Sequence, residues 1–456
     1  MNGMTRLWFR TALLESGWAQ NARLTVQAGR ITFIEVETPP EAEDEQHEVG
    51  IPGMPNVHSH AFQRAMAGLT EVAGPGEDSF WTWRERMYRF LGKLGPEEVE
   101  AVSAFAFMEM LESGFTRVAE FHYLHHDPTG TPYDNPAELT QRIVAAAQLS
   151  DIGLTLLPVL YAHSDFGGLA PHRAQRRFIN DIDRYARFVE ASESAVKTLD
   201  DGVVGVAPHS LRAVTPDELC AAIALMPKGP VHIHAAEQLQ EVEDCVAWSG
   251  QRPVEWLLDH APVDTRWCLV HSTHLTAEET QRLAASGAVA GLCPITESNL
   301  GDGVFPARDY LNANGAFGVG TDSNMLIDPA GELRTLEYSQ RLIHRRRNVL
   351  AGGGKKSTGR RLFDAAGKGG AQALGGRGGP LREGVSADIV SLNAAHPSIN
   401  ARQGDALLDG WIFAARDRAV DCVWRRGSKV VANGVHLRRD AIVARYHRVL
   451  KWLMND

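Results

Sequence analysis

The sequence predicts an α/β protein: a (β/α)8 barrel, or TIM barrel, with a small β-sandwich domain built from both chain ends. Three observations support this prediction. Eight short apolar segments alternate with longer amphipathic stretches between residues 52 and 384, which is typical of parallel βα units. Eight such units match a closed barrel, which needs about 250 residues or more. Segments that alternate apolar and polar residues flank this region on both sides.

The composition narrows the class of protein. The chain has 456 residues, 44% of them hydrophobic and 22% charged, which is enough to form one large core and a smaller one. Its formal net charge of -10 argues against nucleic acid or an anionic membrane as a partner. The five cysteines are widely spaced and form no CxxC motif, so we expect reduced thiols in the cytoplasm. We expect neither a signal peptide nor a membrane-spanning segment.

Residues 1–51 are predicted to form short β structure. Residues 22–35 alternate apolar and polar around a glycine, which is typical of a hairpin. The acidic stretch at 41–48 is predicted to be a solvated connection. Residues 385–456 contain further strand-like segments, at 386–392, 419–425 and 429–435. We assign both chain ends to the β-sandwich domain and residues 52–384 to the barrel.

The eight predicted barrel strands are short and apolar. They are Met54–His58, Thr116–Phe121, Leu154–Tyr161, Val203–Pro208, Pro230–His234, Trp267–Val270, Ala288–Cys293 and Ala316–Gly320. Helices are predicted between them, for example after Pro96 and after Thr276, where a capping box begins. A loop and a final helix are predicted over 351–380.

The first connection of the barrel, from residue 61 to about residue 115, is too long for a simple βα loop. It contains Phe80–Phe90, an amphipathic segment rich in aromatic residues. We predict a helix here, and a helix in this connection is placed to cover the active face of the barrel.

Two histidines, His58 and His60, follow the first predicted strand. Side chains two residues apart on a strand point to the same side, so the two imidazoles form half of a metal site. An isolated HxH motif also occurs by chance in turns, so the residues at the other strand ends decide its meaning.

Polar residues also follow the other predicted strands, where barrel enzymes place their chemistry. They are Glu120, His122 and Tyr123 after strand 2, His209 and Arg212 after strand 4, His232, His234 and Glu237 on strand 5, His271 after strand 6, and Asp322 after strand 8. Independent core histidines would explain one or two of these residues. The whole set indicates a metal-dependent hydrolase.

The donor types indicate which residues bind the metal. His58, His60, Asp322 and one of His232 or His234 offer three nitrogens and one carboxylate, and they leave a position open for water. The strand periodicity does not distinguish His232 from His234. A cation held in this way activates water as a nucleophile. These donors favour zinc, and they also suit iron or manganese.

Two further residues are predicted to serve catalysis. Glu237 lies three residues after His234, the placement of a proton shuttle that does not bind the metal. His271 is predicted to orient the nucleophile or polarise the electrophile. A second metal would need a bridging ligand such as a carboxylated lysine. The only lysines between residues 100 and 230, Lys197 and Lys228, lie outside the apolar segments, so we predict one metal ion per subunit.

These residues, in this order, resemble the amidohydrolase superfamily. The similarity rests on the Gly-Met-Pro turn at 53–55, the HxH motif, His-Ala-Ala-Glu at 234–237, the segment 293–299, and Gly-Thr-Asp at 320–322. It covers residues 52–384. The resemblance implies that His234 is the third histidine ligand, that Glu237, His271 and Asp322 are catalytic, and that the reaction is hydrolysis at a carbon bearing nitrogen.

A closer resemblance, from end to end, is to the bacterial formimidoylglutamate deiminase family. It rests on the stretches 57–68, 119–126, 207–214 and 318–324. This resemblance implies attack of water on a formimidoyl carbon with release of ammonia, in a homodimer. It also implies that the substrate is contacted by Gln63, Arg84, Tyr123, His209 and Arg212.

The two arginines suit a small-molecule dicarboxylate substrate. Arginine binds a carboxylate through two parallel hydrogen bonds, and Arg212 lies just past a strand end. Arg84 shares its predicted helix with Arg86 and Arg89, so a solvated basic face is the alternative for this residue.

The sequence leaves two other functions open. A nucleobase or triazine deaminase of the same superfamily would not need two arginines in its pocket. A metal-binding or sensory barrel without catalysis would keep the histidines but would have no use for Glu237. His122, His125 and His126 are predicted to surround the site or to lie at the surface.

Overall fold

The structure is a computed structural model that describes residues 4–73, 76, 78–354, 356–416 and 419–455. Its N-terminal part forms the strands β1 (Thr5–Leu14), β2 (Gly17–Gln27), β3 (Arg30–Glu35) and β4 (Glu45–Pro52). The predicted hairpin is present as the antiparallel pair β2 and β3. The predicted acidic connection at 41–48 is wrong in its second half, because β4 begins at Glu45. The remaining residues are not solvated throughout, because Asp44 is buried against Arg23.

A curled sheet of parallel strands forms the body of the molecule. Its strands are β5 (Met54–Ser59), β6 (Phe115–His122), β7 (Gly153–Leu160), β8 (Val203–Val204), β9 (Ala207–Pro208), β10 (Val231–Ala235), β11 (Trp267–His271), β12 (Val289–Leu292) and β13 (Ala316–Val319). All eight predicted strands are confirmed, with the fourth divided into β8 and β9. The amide of His234 donates to the carbonyl of His209 at 3.0 Å and helps to close the sheet into a barrel.

Twelve described helices belong to the barrel region. They are α1 (Phe80–Leu91), α2 (Pro96–Ser113), α3 (Glu138–Ser150), α4 (Ile182–Val196), α5 (Pro216–Leu225), α6 (Leu239–Ser249), α7 (Pro253–His260), α8 (Ala277–Ser286), α9 (Pro294–Leu300), α10 (Ala307–Asn312), α11 (Pro329–His344) and α12 (Thr358–Ala373). The predicted capping box starts α8, where Thr276 and Glu279 exchange side-chain to backbone hydrogen bonds. The predicted aromatic helix of the long connection is α1.

The C-terminal part adds the elements β14 (Ile389–Leu392), α13 (Asp405–Ala414), β15 (Val420–Arg425), β16 (Ser428–Ala432), β17 (Val435–His436) and α14 (Arg439–Met454). Its strands join the N-terminal ones in one sheet of order β17-β16-β15-β14-β4-β1-β2-β3. Phe9 of β1 and Trp424 of β15 stand three strands apart in this sheet, yet their ring centroids are 6.0 Å apart. Neighbouring strands are spaced about 4.8 Å, so the sheet folds over on itself as a sandwich does.

Two helices after residue 385 pack on the barrel rather than on the small sheet. The ring of Tyr446 in α14 stacks on Phe105 in α2, with centroids 3.8 Å apart. In α13, Leu408 and Trp411 are buried in the same core as the barrel helices. The segment 385–456 therefore supplies two helices of the outer layer of the barrel as well as half of the small sheet. No helix that the structure describes is long and apolar enough to cross a membrane.

Candidate metal centre and active site

His58, His60 and Asp322 meet because their strands, β5 and β13, are neighbours in the barrel. The amide of His60 donates to the carbonyl of Asp322 at 2.9 Å, and the amide of Asp322 donates to the carbonyl of His58 at 2.9 Å. A Cβ atom on Gly320 would stand 2.8 Å from the backbone of His58. Only glycine permits this approach of the two strand ends.

Four side chains bring donor atoms together around Nε2 of His58. The Nε2 atom of His58 lies 3.2 Å from Nε2 of His60 and 3.1 Å from Nε2 of His234. An oxygen of Asp322 lies 3.4 Å from Nε2 of His58 and 3.3 Å from Nε2 of His60. All four residues are buried. The predicted ligands are thus brought together from three strands.

The other ring nitrogens fix the protonation of two of these histidines. Nδ1 of His60 lies 3.0 Å from the carbonyl of Phe121, and Nδ1 of His234 lies 2.9 Å from that of His209. A carbonyl only accepts, so each Nδ1 donates, and in a neutral ring Nε2 then carries a free lone pair. Burial lowers the pKa of both rings. Lone pairs aimed at one point are what a divalent cation needs.

Asp322 completes this donor set as a carboxylate. Burial acts to raise its pKa, but the hydrogen bond to His58 and the neighbouring His60 and His271 lower it below the ordinary value. Three imidazoles and one carboxylate therefore fit a divalent cation with room for a further ligand.

The structure places His232 and His234 in different surroundings. Nε2 of His232 lies 2.9 Å from the carbonyl of Ala373, away from the donor cluster. Both rings point into the barrel, as their spacing on the strand requires, but only His234 lies level with His58.

Glu237 and His271 lie beside the donor cluster. An oxygen of Glu237 is 3.7 Å from Nε2 of His271, and burial raises the pKa of Glu237 to about 7. Nδ1 of His271 lies 3.3 Å from Oε1 of Glu297. Burial acts to lower the pKa of His271, but Glu237 and Glu297 raise it to about 10. His271 thus lies between two carboxyl groups that favour its protonated form.

Three acidic residues of this region were not singled out by the sequence analysis. Glu297 lies inside the stretch 293–299, and it also accepts the amide of Cys293 at 2.8 Å. Glu241 accepts the amide of Glu237 at 3.0 Å. Asp302 is buried, and its side chain is bonded to that of Gln238. The sequence could have indicated Glu241, because an acidic residue in the first turn of a helix such as α6 often accepts backbone amides at the helix start.

Three strand ends around the centre have a left-handed backbone at residues other than glycine. The φ angles are 52° at Ala236, 66° at His271 and 43° at Asp322. Such a conformation costs about 1–3 kcal/mol and persists only where surrounding contacts enforce it. It occurs where the chain must turn sharply after a strand to aim a side chain at the centre.

One cavity opens onto the donor cluster and is bounded by α1 and the strand-end loops. The side chains that line it include all five predicted substrate contacts, Gln63, Arg84, Tyr123, His209 and Arg212. The amide nitrogen of Gln63 donates to the hydroxyl of Tyr123 at 2.9 Å, and its oxygen Oε1 has no partner among the described residues. Aromatic side chains of α1, among them Trp83 and Tyr88, close the outer side.

The two arginines of the cavity have no carboxylate partner in the described part of the chain. The Nε atoms of Arg84 and Arg212 are buried without a hydrogen bond. On the same helix, Arg86 instead donates to the carbonyls of Thr70 and Val72, at 2.7 Å each. Arg84 therefore faces the cavity and not a solvated basic face, and two guanidinium groups in this position are suited to binding an anion.

The histidines 122, 125 and 126 are buried, so the surface alternative for them was wrong. Nε2 of His125 lies 2.9 Å from the carbonyl of Val159, and Nε2 of His126 lies 2.7 Å from that of Ile179. These contacts hold the loop after β6 in place.

Comparison with known families and relatives agrees with this geometry. The model of the amidohydrolase family matches residues 49–430, and that of the formimidoylglutamate deiminase HutF N-terminal domain matches residues 4–48. Formimidoylglutamate deiminase of Pseudomonas aeruginosa is 47% identical over 455 residues, which span 99% of this chain and 100% of the relative. The 8-oxoguanine deaminase of the same species is 27% identical, over 97% of this chain and 98% of the relative.

Solved structures give the same result for the fold. The crystal structure of an amidohydrolase from Brucella melitensis is 53% identical and superimposes with a TM-score of 0.95, covering 99% of this chain and 100% of that one. An adenosine deaminase from Xanthomonas campestris with bound zinc has a TM-score of 0.83 at 22% identity, with 99% of each chain covered. This second likeness concerns the fold alone. With most of its length matched by the family model and the donor cluster at the strand ends, the chain belongs to the amidohydrolase family.

Proposed function

We propose that the protein hydrolyses N-formimidoyl-L-glutamate to N-formyl-L-glutamate and ammonia, a step in histidine degradation. The observation that carries this proposal is the pair of unpartnered arginines, Arg84 and Arg212, in the cavity that opens onto the metal donors. A relative aligned over nearly the whole chain bears the name of this activity. A nucleobase or triazine offers no two carboxylates for such a pair.

The glutamate part of the substrate accounts for both guanidinium groups. Arg84 comes from α1 and Arg212 from the loop after β9, so the carboxylates would be held between the covering helix and the barrel wall. A buried or partly buried cation without a direct ion pair is unfavourable, and a dicarboxylate would supply such a pair to each arginine. Bidentate hydrogen bonds to each carboxylate would also fix the orientation of the substrate.

The formimidoyl end would lie near Gln63, Tyr123 and His209. Because the amide nitrogen of Gln63 is used by Tyr123, its free oxygen can accept a hydrogen bond from an amidine N–H. Burial, aided by the charge of Arg212, lowers the pKa of His209 well below its ordinary value. A neutral imidazole here can bind the formimidoyl group without repelling its positive charge.

The reaction adds water to the formimidoyl carbon and breaks the bond to the terminal nitrogen. A divalent cation at the four donors would supply the Lewis acidity that activates the water. Asp322, kept as a carboxylate, would accept a proton from this water, and His271 would hold the nucleophile in position. Glu237, with its pKa raised to about 7 by burial, would give a proton to the departing nitrogen of the protonated formimidoyl group, which leaves as ammonia, and would regain a proton from the added hydroxyl as the carbonyl forms. The proton taken up by Asp322 would leave with the ammonia as ammonium.

We also propose one zinc ion per subunit, a homodimer and a cytoplasmic location. Zinc is supported by the imidazole-rich donor set and by the zinc in the adenosine deaminase of the same fold. Iron or manganese would accept the same donors. The homodimer is proposed from the family resemblance. The cytoplasmic location is supported by that resemblance and by the five free cysteines.

The direct test is turnover of N-formimidoyl-L-glutamate by the metal-loaded protein. Ammonia and the formyl product should appear in equal amounts, and Glu237→Gln should abolish turnover while metal content stays normal. Inertness toward this substrate together with deamination of a purine or pyrimidine would overturn the proposal. Loss of metal in Glu237→Gln would overturn its shuttle role.

A second test concerns the arginines. Replacing Arg84 or Arg212 by Ala should lower kcat/KM by about thirtyfold or more, because a carboxylate would lose a buried charged partner worth about 2–5 kcal/mol. Arg89, exposed on the same helix as Arg84, provides the control, and Arg89→Ala should keep nearly full activity. Equal effects of Arg84→Ala and Arg89→Ala would remove Arg84 from the substrate site.

A further inference from the structure

The guanidinium groups of Arg84 and Arg212 both lie over the indole ring of Trp81. The central carbon of the Arg84 guanidinium is 4.5 Å from the ring centroid, and that of Arg212 is 5.8 Å away. These distances are within the range of cation–π attraction, which is strongest for tryptophan. Trp81 and Arg84 belong to α1, whereas Arg212 belongs to the barrel. The indole thus links the cationic groups of two separate elements.

Core packing does not account for the position of Trp81. Trp83, Tyr88 and Phe90 of the same helix pack against the barrel core, whereas Trp81 lies outside that cluster and is only half-buried. Its ring contacts are to Phe80, with centroids 5.1 Å apart, and to the two guanidinium groups.

The two guanidinium groups beside this indole are not directly paired with a carboxylate of the described residues. Arg212 is only 6% exposed, and the Nε atoms of both arginines are buried without a hydrogen bond to another described residue. Glu237 and Glu241 lie near enough to Arg212 to raise its pKa against the effect of burial, but neither carboxylate forms an ion pair with it in the described part of the chain. Like charges repel strongly in a buried pocket, and the π-face attracts both of them. The indole therefore offsets part of the repulsion before any anion binds and restricts two flexible side chains to one arrangement. Groups that are ordered in advance lose less entropy when a ligand binds.

We propose that Trp81 is a positioning residue that holds the two guanidinium groups at the spacing of two carboxylates in one ligand, and so selects dicarboxylates over monocarboxylates. This inference deepens the proposed function and rests on it for the identity of the natural ligand. We call Trp81, Arg84 and Arg212 together the clamp. Binding of a dicarboxylate to the clamp needs no catalytic step, so it can be measured without turnover.

The test compares the binding of glutarate and of butyrate to the metal-loaded protein by calorimetry. Trp81→Leu should weaken glutarate binding by about tenfold or more, and Trp81→Phe by less, because phenylalanine keeps a weaker π-face. Butyrate binding should change by less than about threefold, since one arginine suffices for one carboxylate. Trp452→Leu, at an exposed site on α14, should leave both affinities unchanged. Equal weakening for both ligands, or no weakening, would overturn the proposal.

A double-mutant cycle separates positioning from a general disturbance of α1. In an Arg84→Met background one of the two guanidinium groups is already absent. Adding Trp81→Leu should therefore weaken glutarate binding little further. A full additional loss in that background would contradict the proposed role. Turnover of N-formimidoyl-L-glutamate by Trp81→Leu should show a raised KM with kcat nearly retained. If glutarate binding depends on Trp81 but N-formimidoyl-L-glutamate is not turned over, the proposed function is wrong and the positioning role of Trp81 is still supported.

Discussion

The side-chain amide of Asn56 donates a 2.7 Å hydrogen bond to the hydroxyl of Thr321. This contact ties β5, which carries His58 and His60, to the strand end that carries Asp322. The amide oxygen of Asn56 also accepts the backbone amide of Thr321 at 3.2 Å. One buried side chain thus sets the relative position of three proposed metal ligands.

Asn56→Ala should therefore weaken metal binding, by about tenfold to a hundredfold, as is usual when a group that orients ligands is lost. Stability should also fall by about 1–3 kcal/mol, because the backbone amides of His58 and Thr321 both lose the side-chain oxygen of Asn56 as an acceptor. Thr155→Val is the matched control, since it removes a buried 3.2 Å hydrogen bond to the carbonyl of Leu374 far from the centre. Titration with zinc should show the loss of affinity only for Asn56→Ala, and an equal loss in both variants would contradict this account.

The two histidines of β10 give a second prediction. His234→Ala should lose the bound metal, whereas His232→Ala should retain about one ion per subunit, because His232 is bonded to Ala373 instead of facing the centre. Both changes remove the same buried ring, so the cost of the cavity is matched. Metal analysis of the purified proteins decides the outcome. Added zinc should raise the Tm of the metal-free protein, also in His232→Ala but not in His234→Ala, and a rise in His234→Ala would disprove the assignment.

The buried pair Arg23 and Asp44 predicts a pH dependence of stability. Nε of Arg23 lies 3.0 Å from both oxygens of Asp44. Burial acts to raise the pKa of Asp44, but the hydrogen bonds from Arg23 bring it below the ordinary value. A carboxyl group with a lowered folded-state pKa stabilises the fold above its unfolded pKa of about 3.9. This contribution is lost as the pH falls through the folded-state pKa.

Asp44→Asn should thus lower the free energy of unfolding by about 2 kcal/mol at neutral pH. This is less than the about 3–5 kcal/mol for a fully broken buried pair, because Arg23 keeps Glu35 at 3.1 Å. The difference from the unmodified protein should shrink below about pH 4, measured by urea unfolding. Glu48→Gln, in an exposed pair with Arg10, should change stability by less than about 0.5 kcal/mol. A constant difference at all pH values would refute the role of the Asp44 charge.

The barrel and its metal donors could be predicted because both follow from local patterns. Parallel strands in a barrel end at one edge, so residues that follow apolar segments, such as His58 and Asp322, are gathered without knowledge of the packing. The choice between His232 and His234 could not be made in this way, since their spacing gives them the same orientation. The choice depends on how far each ring lies from the carboxyl ends of the barrel strands. The structure shows this through the contact between Nε2 of His232 and the carbonyl of Ala373.

Residues that act through others were missed for a related reason. Glu241 and Glu297 matter because their carboxylates reach the backbone of Glu237 and the ring of His271, contacts that no periodicity encodes. The left-handed backbone at Asp322 is likewise enforced by neighbouring strands. In contrast, α13 was within reach of the sequence, since Leu407, Leu408, Trp411 and Ile412 are spaced like one face of a helix.

The contact between Glu297 and His271 gives the last prediction. Glu297→Gln removes the negative charge that faces Nδ1 of His271, so the ring should lose part of its proton affinity and its fixed orientation. We expect kcat to fall by about tenfold to a hundredfold with metal content unchanged, because Glu297 acts through His271 and not through the donor cluster.

The matched control is Glu332→Gln. Burial raises the pKa of Glu332 well above its ordinary value, which favours the neutral form. The hydrogen bond that Glu332 accepts from the amide of Ile295, at 2.9 Å, can also be accepted by a glutamine oxygen, so this replacement should leave kcat close to that of the unmodified protein. Steady-state kinetics on both variants, with metal analysis of each, is the measurement. A loss of kcat shared equally by the two variants would show that any buried Glu→Gln change perturbs the site, and a loss of metal in Glu297→Gln would place its effect at the donors instead of at His271.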